Sequence, residues 1–434
     1  MRRPVSESHR VLGMSAVLSV MLSLGAVLLA GCTGPEAGDE STVIVFEGAR
    51  LIVGDGSAPI EDAVFVVEGD RFMRAGRRAD VQIPGGATRV DLSGKTVMPA
   101  IVNTHVHLAS TRDDRTDQLQ HMAYYGAGVV LSLGLDSGGI PFEMRDEWVP
   151  DGARSRTAGR GITAPEPGRT EVPFWLTSEA EARAAVQELA AQQVDLVKIW
   201  VDERNGQFEK LSPALYGAVI DEAHQHDLRV TAHVFTLEDA KGLLRAGIDA
   251  FAHGVRDRDV DDELVALWTE RPDVILVPNL PNPGVAADLS WLSGTVPADE
   301  LQEMQEASRD RPAAQEAFGI QARNLARLNQ AGVTIAFGTD GSTPWAVHQE
   351  MEDMVRSGMT PAEVIAAATG SSAELMQMTD IGTVAVGKSA DFIVLDANPL
   401  DEITNTRRIA AVYLRGIEVD RDALSARLGG GASQ

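Results

Sequence analysis

The sequence predicts an α/β protein built around a (β/α)8 TIM barrel, with a small discontinuous β-sandwich domain formed by the N- and C-terminal segments. In the middle of the chain, short apolar strands alternate with amphipathic helices, which is typical of βα units around a parallel sheet. At both ends, short β-rich runs are separated by glycines. The 434 residues, 44% of them hydrophobic, are enough to bury a large core.

The predicted barrel covers residues 98–380. Each of its eight predicted strands is a short apolar run. These runs end near His107, Leu133, Ile162, Val201, Val234, His253, Val277 and Gly338. Helical periodicity predicts helices over Ser178–Gln192, Pro213–His226, Leu237–Ala246 and Asp261–Glu270. The proline-rich stretch Pro278–Gly284 is interpreted as an irregular loop over the barrel mouth. Chemistry in such a barrel is expected at the C-terminal strand ends.

The β-rich ends cover residues 42–97 and 381–434. The strands predicted in them are Val43–Phe46, Ala63–Val67, Thr88–Leu92, Thr383–Val386, Phe392–Leu395 and Ile409–Leu414. Because isolated short hairpins are only marginally stable, we expect the two ends to pair into a single domain.

The N-terminus has the pattern of a secretory signal. Basic residues precede the uncharged stretch Val11–Ala30, and Leu29–Cys32 resembles the lipobox of bacterial lipoproteins, in which the cysteine is acylated. We therefore expect residues 1–31 to be a lipoprotein signal peptide, Cys32 to be lipidated and residues 32–41 to be a tether. The protein would be exported and anchored to a membrane, facing the periplasm or the cell exterior. An uncleaved membrane anchor is the alternative.

The composition excludes two classes of protein. Acidic residues outnumber basic ones, 63 to 38, so the net charge of −25 would repel nucleic acid over most of the surface. The single cysteine excludes a scaffold held by internal disulfides. The expected partner is a small-molecule substrate, and a homo-oligomer is left open.

Four of the nine histidines fall at predicted strand ends. His105 and His107 end the first strand, where residues two apart project to the same face. His233 and His253 end the fifth and sixth strands. Asp340 completes the eighth strand, which lies beside the first in a closed barrel. The pattern predicts a metal site at the barrel mouth.

The remaining histidines have a different context. His224 and His226 are also two residues apart, but they end a helix, where such residues point to different sides and cannot bind one ion. His348 follows the eighth strand and is expected to cap or line the barrel mouth.

Lys198 ends the fourth predicted strand. A single lysine at such a position usually extends to solvent. An ammonium cannot bind a metal ion, but an uncharged amine can add carbon dioxide to form a carbamate, whose two oxygens can bridge two ions. Since an ammonium among four imidazoles and two cations would be repelled, the location favours the carbamate.

These residues resemble the amidohydrolase superfamily, and within it the imidazolonepropionase-like and prolidase-like branch. The resemblance covers about residues 42–420 and is carried by Met98–His107, Lys198, His233, His253, Gly338–Asp340 and Ile381–Leu395. It implies a site with two divalent metal ions. Zinc is the default for a histidine-rich site, and the ligand types also allow manganese, cobalt or iron.

The resemblance also implies roles for the ligands. One ion is held by His105, His107 and Asp340, the other by His233 and His253, with a hydroxide and carbamylated Lys198 between them. Asp340 is the implied catalytic residue, which takes a proton from the hydroxide and passes it to the leaving amine. The implied reaction is hydrolysis of an amide-like C–N bond in an N-acyl amino acid, a dipeptide or a cyclic amide.

Two departures from the superfamily pattern bear on the reaction. Thr236 stands where deaminases tend to have a glutamate, which disfavours deamination. Phe235 stands where many prolidase-like members have a tyrosine, and a ring without a hydroxyl cannot donate a hydrogen bond to the scissile carbonyl. A lactonase or phosphotriesterase on the same site, and a catalytically inactive surface binding protein, are the alternatives.

Substrate contacts are predicted for Arg256, Phe235, Trp200 and His348. Arg256 begins the loop after the sixth strand, where its guanidinium would bind a substrate carboxylate. The alternative for Arg256 is an ion pair with one of the nearby acidic residues Asp257, Asp259 and Asp261.

Overall fold

The computed structural model describes residues 43–429, so the predicted signal peptide, tether and lipidated Cys32 lie outside the described residues. Among residues 43–429, no helix is both long enough and apolar enough to cross a bilayer. The strands, in chain order, are β1 (Val43–Leu51), β2 (Ile60–Glu68), β3 (Arg71–Arg77), β4 (Thr88–Asp91), β5 (Thr96–Pro99), β6 (Ile101–Val106), β7 (Ala127–Ser132), β8 (Arg154–Thr157), β9 (Ile162–Thr163), β10 (Phe174–Trp175), β11 (Val197–Val201), β12 (Val230–Val234), β13 (Ala250–Ala252), β14 (Ile275–Val277), β15 (Thr334–Ile335), β16 (Phe392–Leu395), β17 (Ile409–Leu414) and β18 (Ile417–Glu418).

The α-helices are α1 (Arg112–Tyr124), α2 (Ile140–Arg145), α3 (Glu179–Ala191), α4 (Pro213–Gln225), α5 (Leu237–Ala246), α6 (Asp262–Thr269), α7 (Ala298–Ala307), α8 (Pro312–Gln330), α9 (Ala346–Arg356), α10 (Pro361–Ala366), α11 (Ser372–Leu375) and α12 (Arg421–Gly429). The four helices predicted from periodicity are confirmed, each end within one residue, as α3 to α6. Their starts follow local chemistry, since Ser178, Thr236 and Asp261 each accept a hydrogen bond from a backbone N–H of the first turn.

Parallel strands form a ring at the centre of the molecule. One sheet runs β6-β7-β8 and the other runs β10-β9-β11-β12-β13-β14-β15. The ring closes where Thr104 of β6 donates its backbone N–H to Phe337 O beyond β15 (3.0 Å) and where Asp195 N donates to Thr157 O of β8 (3.0 Å). With β8 and β9 sharing one position, the ring has eight strand positions, consistent with the predicted barrel.

The two ends of the chain share a single sheet. In it, β16 pairs antiparallel with β5, and the order is β18-β17-β16-β5-β1-β2-β3, with β4 paired to β1. Aromatic rings pack across the two segments: the Phe392 ring lies edge-on to Phe46 at 5.1 Å and to Phe65 at 5.2 Å between ring centroids. Pairing of the ends is therefore confirmed, whereas a β-sandwich stays a prediction.

The sheet also corrects the sequence analysis. No strand forms at Thr383–Val386, which consists of bends and a turn. Gly382 and Gly387 flank it with φ of +81° and +83°, and such left-handed backbone interrupts a strand. Three strands of this sheet, β3, β5 and β18, were not predicted.

Candidate active site

Five of the six predicted metal ligands lie at or just beyond the C-terminal ends of barrel strands, whereas Lys198 is the second residue of β11, which corrects its predicted position at the end of the fourth strand. His105 is in β6 and His107 directly follows it, while Lys198 is in β11 and His233 is in β12. His253 directly follows β13, and Asp340 lies five residues beyond β15. Parallel pairing of β11 with β12 places Trp200 opposite His233, so the fourth and fifth strands end level with each other.

Asp340 is the point where three histidines converge. Its Oδ1 lies 3.2 Å from His105 Nε2 and 3.1 Å from His107 Nε2, and its Oδ2 lies 3.4 Å from His253 Nε2. Burial alone would raise the pKa of Asp340, but the adjacent His105 and the hydrogen bond with His107 outweigh it and hold that pKa well below its usual range. The carboxylate is therefore ionised at neutral pH.

Asn279 determines which nitrogen of His105 faces the cavity. His105 Nδ1 lies 2.9 Å from the Asn279 amide oxygen, which can only accept a hydrogen bond, so Nδ1 carries the proton. The Nε2 lone pair then faces Asp340 Oδ1. His105 Nε2 and Asp340 Oδ1 would then both be hydrogen-bond acceptors, so at 3.2 Å they need a proton or a metal cation between them. Because burial lowers the pKa of His105 well below its ordinary value, an added proton is disfavoured and a metal cation fits better.

The closest set of ligand atoms differs from the predicted grouping. Single ligand atoms of His105, His253 and Asp340 lie within 4.8 Å of one another. The resemblance paired His253 with His233, whereas here His253 joins the group expected around the other ion. The rings of His253 and His233 are also in contact, at 4.6 Å between centroids.

Lys198 is completely buried and its Nζ has no hydrogen-bond partner in the described part of the chain. Burial lowers the pKa of Lys198 to about 7, which makes an uncharged amine accessible at neutral pH. The Trp200 ring lies beside this amine, with Nζ 5.3 Å from the ring centroid. Trp200 fits closely against Gly134 and Gly161, where a β-carbon would lie 2.7 and 2.1 Å from the indole. These glycines leave room for the indole beside the lysine.

His233 lies in a group of charged side chains. Its Nε2 is 3.0 Å from Asp202 Oδ2, 3.3 Å from Arg204 Nη1 and 3.0 Å from Arg256 Nη2. In one tautomer the ring donates to the carboxylate, and in the other it accepts from a guanidinium. Burial lowers the pKa of His233 to about 3, so the ring is neutral and one lone pair is available for a metal ion.

An ion-pair network extends from Arg204 across the cavity wall. Arg204 donates to Asp202 Oδ2 at 2.8 Å and to Glu166 Oε1 at 2.9 Å, and Arg169 binds Glu166 Oε2 at 2.6 Å. Sequence analysis did not select these residues or Asn279. Asp202 and Arg204 directly follow the fourth strand, and this position could have identified them.

These residues enclose a cavity of about 330 Å³ at the barrel mouth. It is lined by His105, His107, Leu135, Thr163, Glu166, Arg169, Thr170, Pro173, Trp200, Arg204, His233, His253 and Asp340. Of the predicted substrate residues, Trp200 lines the cavity, whereas Phe235 and Arg256 are not among its lining residues and lie against each other, with the Arg256 Cζ 5.3 Å from the Phe235 ring centroid.

His348 does not line this cavity, which corrects its predicted substrate contact. It is buried in α9, where Nδ1 lies 3.1 Å from Thr406 Oγ1 and the ring packs against Tyr125 and Trp291. Packing of α9 against the segment that contains Thr406 encloses this side chain. His224 and His226 contact separate carboxylates, Asp249 and Glu222.

Three residues that form or orient the predicted metal site have positive φ, as do other residues elsewhere in the described chain. His253, Asn279 and Asp340 have φ of +114°, +43° and +50°. Positive φ is uncommon outside glycine and persists where surrounding structure holds it, often at functional positions. The strained positions here carry two predicted ligands and the residue that orients a third.

The donor set fits divalent metal ions. Neutral imidazoles and an ionised carboxylate line one cavity, the buried amine of Lys198 has no partner in the described chain, and a carbamate on that amine would add oxygen ligands. Asn279 supplies the hydrogen bond to a ligand histidine that is usual in metal sites.

Comparisons with known proteins agree with this description. The sequence profile of the amidohydrolase family matches residues 167–419. An uncharacterized protein of Mycobacterium bovis is 30% identical over 306 residues, which are 68% of this chain and 77% of that protein. The imidazolonepropionase of Streptomyces griseus is 26% identical over 82% of this chain and 93% of its own length. The crystal structure of a candidate prolidase from Bifidobacterium longum superposes with a TM-score of 0.72 at 26% identity, covering 89% of this chain and 99% of that one.

Proposed function

We propose, from the premise that the chain belongs to the amidohydrolase family, that it is a metal-dependent hydrolase of an amide-like C–N bond in a small molecule. Candidate substrates are an N-acyl amino acid, a dipeptide or a cyclic amide. The observation that carries the proposal is the convergence of His105, His107 and His253 on Asp340 beside the unpartnered Lys198.

Six residues would hold two divalent cations, with zinc as the default: His105, His107, Lys198, His233, His253 and Asp340. Such cations, when bound, acidify a water and polarise a carbonyl oxygen. Lys198 would take part as a carbamate, formed when its uncharged amine adds carbon dioxide and loses a proton. Its burial and its lack of a partner support this modification.

The chain's own residues supply the proton transfers and the enclosure. Asp340, ionised and at the centre of the site, would accept a proton from the attacking water and deliver it to the leaving nitrogen. Trp200 closes one wall and limits access of bulk water. Phe235 has no hydroxyl for the scissile carbonyl, so that carbonyl would depend on the cations.

Metal analysis and a substrate screen test the proposal. We expect about two equivalents of a divalent metal per chain, hydrolysis of at least one amide-like substrate, and loss of that activity in Asp340→Asn. The panel should contain N-acyl amino acids, dipeptides, cyclic amides, lactones and organophosphates. Preference for lactones or organophosphates would replace the amide assignment, and a metal-free, inactive protein would favour a binding role.

We propose further that the protein is an exported lipoprotein anchored through Cys32. The charged start, the apolar stretch and the sequence Leu29–Cys32 support this. Cys32→Ala should abolish incorporation of labelled fatty acid in cells, because no other thiol is present to be acylated. Persistent labelling, or a mature protein that begins elsewhere, would contradict the proposal.

A further inference from the structure

We propose that Arg256, together with Arg204, selects substrates that carry a carboxylate. This inference rests on the proposed hydrolase function. It narrows the candidate substrates to N-acyl amino acids or dipeptides and excludes neutral cyclic amides. The supporting observations are the partners that these two guanidiniums have, and the hydrogen-bond donors that they leave free.

Arg256 is a largely buried cation without a carboxylate partner in the described chain. Its Nη2 donates to Val234 O at 3.1 Å and lies 3.0 Å from His233 Nε2. Its Nε is enclosed and has no partner, and residues 43–429 offer no hydrogen bond to Nη1. The carboxylates of Asp202 and Asp340 act on Arg256 only from beyond ion-pair distance, so a ligand carboxylate in direct contact would stabilise the buried cation further.

The acidic residues next to Arg256 in sequence are occupied elsewhere. Asp257 binds Arg258 at 2.7 Å and accepts the Leu237 N–H. Asp259 binds Arg323 at 2.7 Å, and Asp261 binds Lys241 at 2.6 Å. The ion pair that sequence analysis weighed as the alternative is therefore absent among the described residues.

Arg204 brings a second guanidinium to the same place. Its Nη1 lies 3.3 Å from the same His233 nitrogen that Arg256 approaches, and Arg204 lines the cavity. Asp202 and Glu166 hold its Nη1 and Nε, while Nη2 has no protein partner in the described structure. Two guanidiniums that share one contact form a site suited to a carboxylate, which accepts charge-assisted hydrogen bonds from both.

Metal binding would strengthen the need for an anion. The single Nε2 lone pair of His233 serves either a cation or the contact with Arg256. With a cation on that nitrogen, Val234 O would be the one acceptor left to the guanidinium among the described residues. A carboxylate bound there would fix one end of the substrate next to Asp340 and the predicted ligands.

The test compares an N-acyl amino acid with its C-terminal carboxamide in wild type and Arg256→Gln. We expect the variant to raise KM for the acid about 10- to 100-fold and to leave the carboxamide unchanged, since only the acid loses a charge-assisted hydrogen bond. Arg258→Gln is the matched control, because Arg258 lies in the same loop, is 65% exposed and binds Asp257. It should change neither substrate.

Two further measurements distinguish failure of this inference from failure of the proposed hydrolase function. Calorimetry with a non-hydrolysable analogue of each compound should show the same preference for the acid in wild type and its loss in Arg256→Gln, even if neither compound is a substrate. Metal content should be unchanged in the variant. Equal effects on acid and carboxamide, or loss of metal from Arg256→Gln, would overturn the proposal and assign Arg256 to positioning His233.

Discussion

Two sets of buried ionisable side chains lie near the C-terminal ends of the barrel strands, and they differ in what compensates their burial. In the internal ion pair, Arg115 donates to both oxygens of Asp136, at 3.0 and 3.1 Å, and Thr157 Oγ1 donates to the same carboxylate at 2.6 Å. The open set is Lys198 and Arg256: neither has a carboxylate within ion-pair distance in the described chain, and the buried Nζ of Lys198 has no hydrogen-bond partner there, although the buried Nε is unpartnered in Arg115 and Arg256 alike.

The difference separates stability from binding. A buried charge that the protein itself compensates connects elements, here α1 with the segment after β7 and with β8. A buried polar atom without a partner destabilises the folded state unless a ligand, metal ion or modification supplies one. We therefore expect substitutions in the first set to change stability, and substitutions in the second to change metal or substrate binding.

The largest effect is expected for Arg115→Met. It leaves Asp136 buried without its cation and should lower the free energy of unfolding by about 3–5 kcal/mol. Chemical denaturation measures this, and KM of the remaining folded protein should stay near wild type. The double variant Arg115→Met/Asp136→Leu should be less destabilised than the single variant; a double variant that is less stable than Arg115→Met would remove the contrast between the two sets.

Lys198→Ala, in contrast, should impair metal binding and activity more than stability. Activity should fall by more than about 100-fold, beyond the usual cost of losing only a hydrogen-bond partner of a metal ligand, because the ligand itself is lost. Metal content should fall as well, with partial rescue by short carboxylic acids that imitate the carbamate.

The stability of a Lys198 variant provides the control. Lys198→Met fills the same space without an amine and should be at least as stable as wild type, since burial of the unpartnered Nζ opposes folding. Full metal content and activity in either Lys198 variant would show that the lysine has no bridging role.

Asn279→Gly should have the smallest effect of the three. Glycine keeps the positive φ of this position but removes the oxygen that orients His105, so metal affinity should fall about 10- to 100-fold. Asn279→Asp keeps both the backbone preference and an acceptor and serves as the matched variant. If dialysis against a metal buffer gives the same affinity for both variants, Asn279 does not orient His105.

How far the sequence predicts this site depends on the range of the interactions. The strand ends at His105, His233 and His253 can be predicted because apolar runs stop there, and parallel strands bring their ends together. The contact of His105 with Asn279 spans 174 residues and was not predicted, although Asn279 lies in the loop expected over the mouth. The position of His348 was missed because it depends on how α9 packs against Thr406, Tyr125 and Trp291.

By itself, the sequence determined the alternation of strands and helices, the family and the residue types at the strand ends. These follow from local periodicity, capping and spacing, which act over a few residues. Only the tertiary structure decided which buried charges find partners. Arg115 forms an ion pair with Asp136. Asp257, Asp259 and Asp261 form ion pairs with other cations, so Arg256 keeps free hydrogen-bond donors. The physical reason is that burial and pairing depend on side chains brought together by folding.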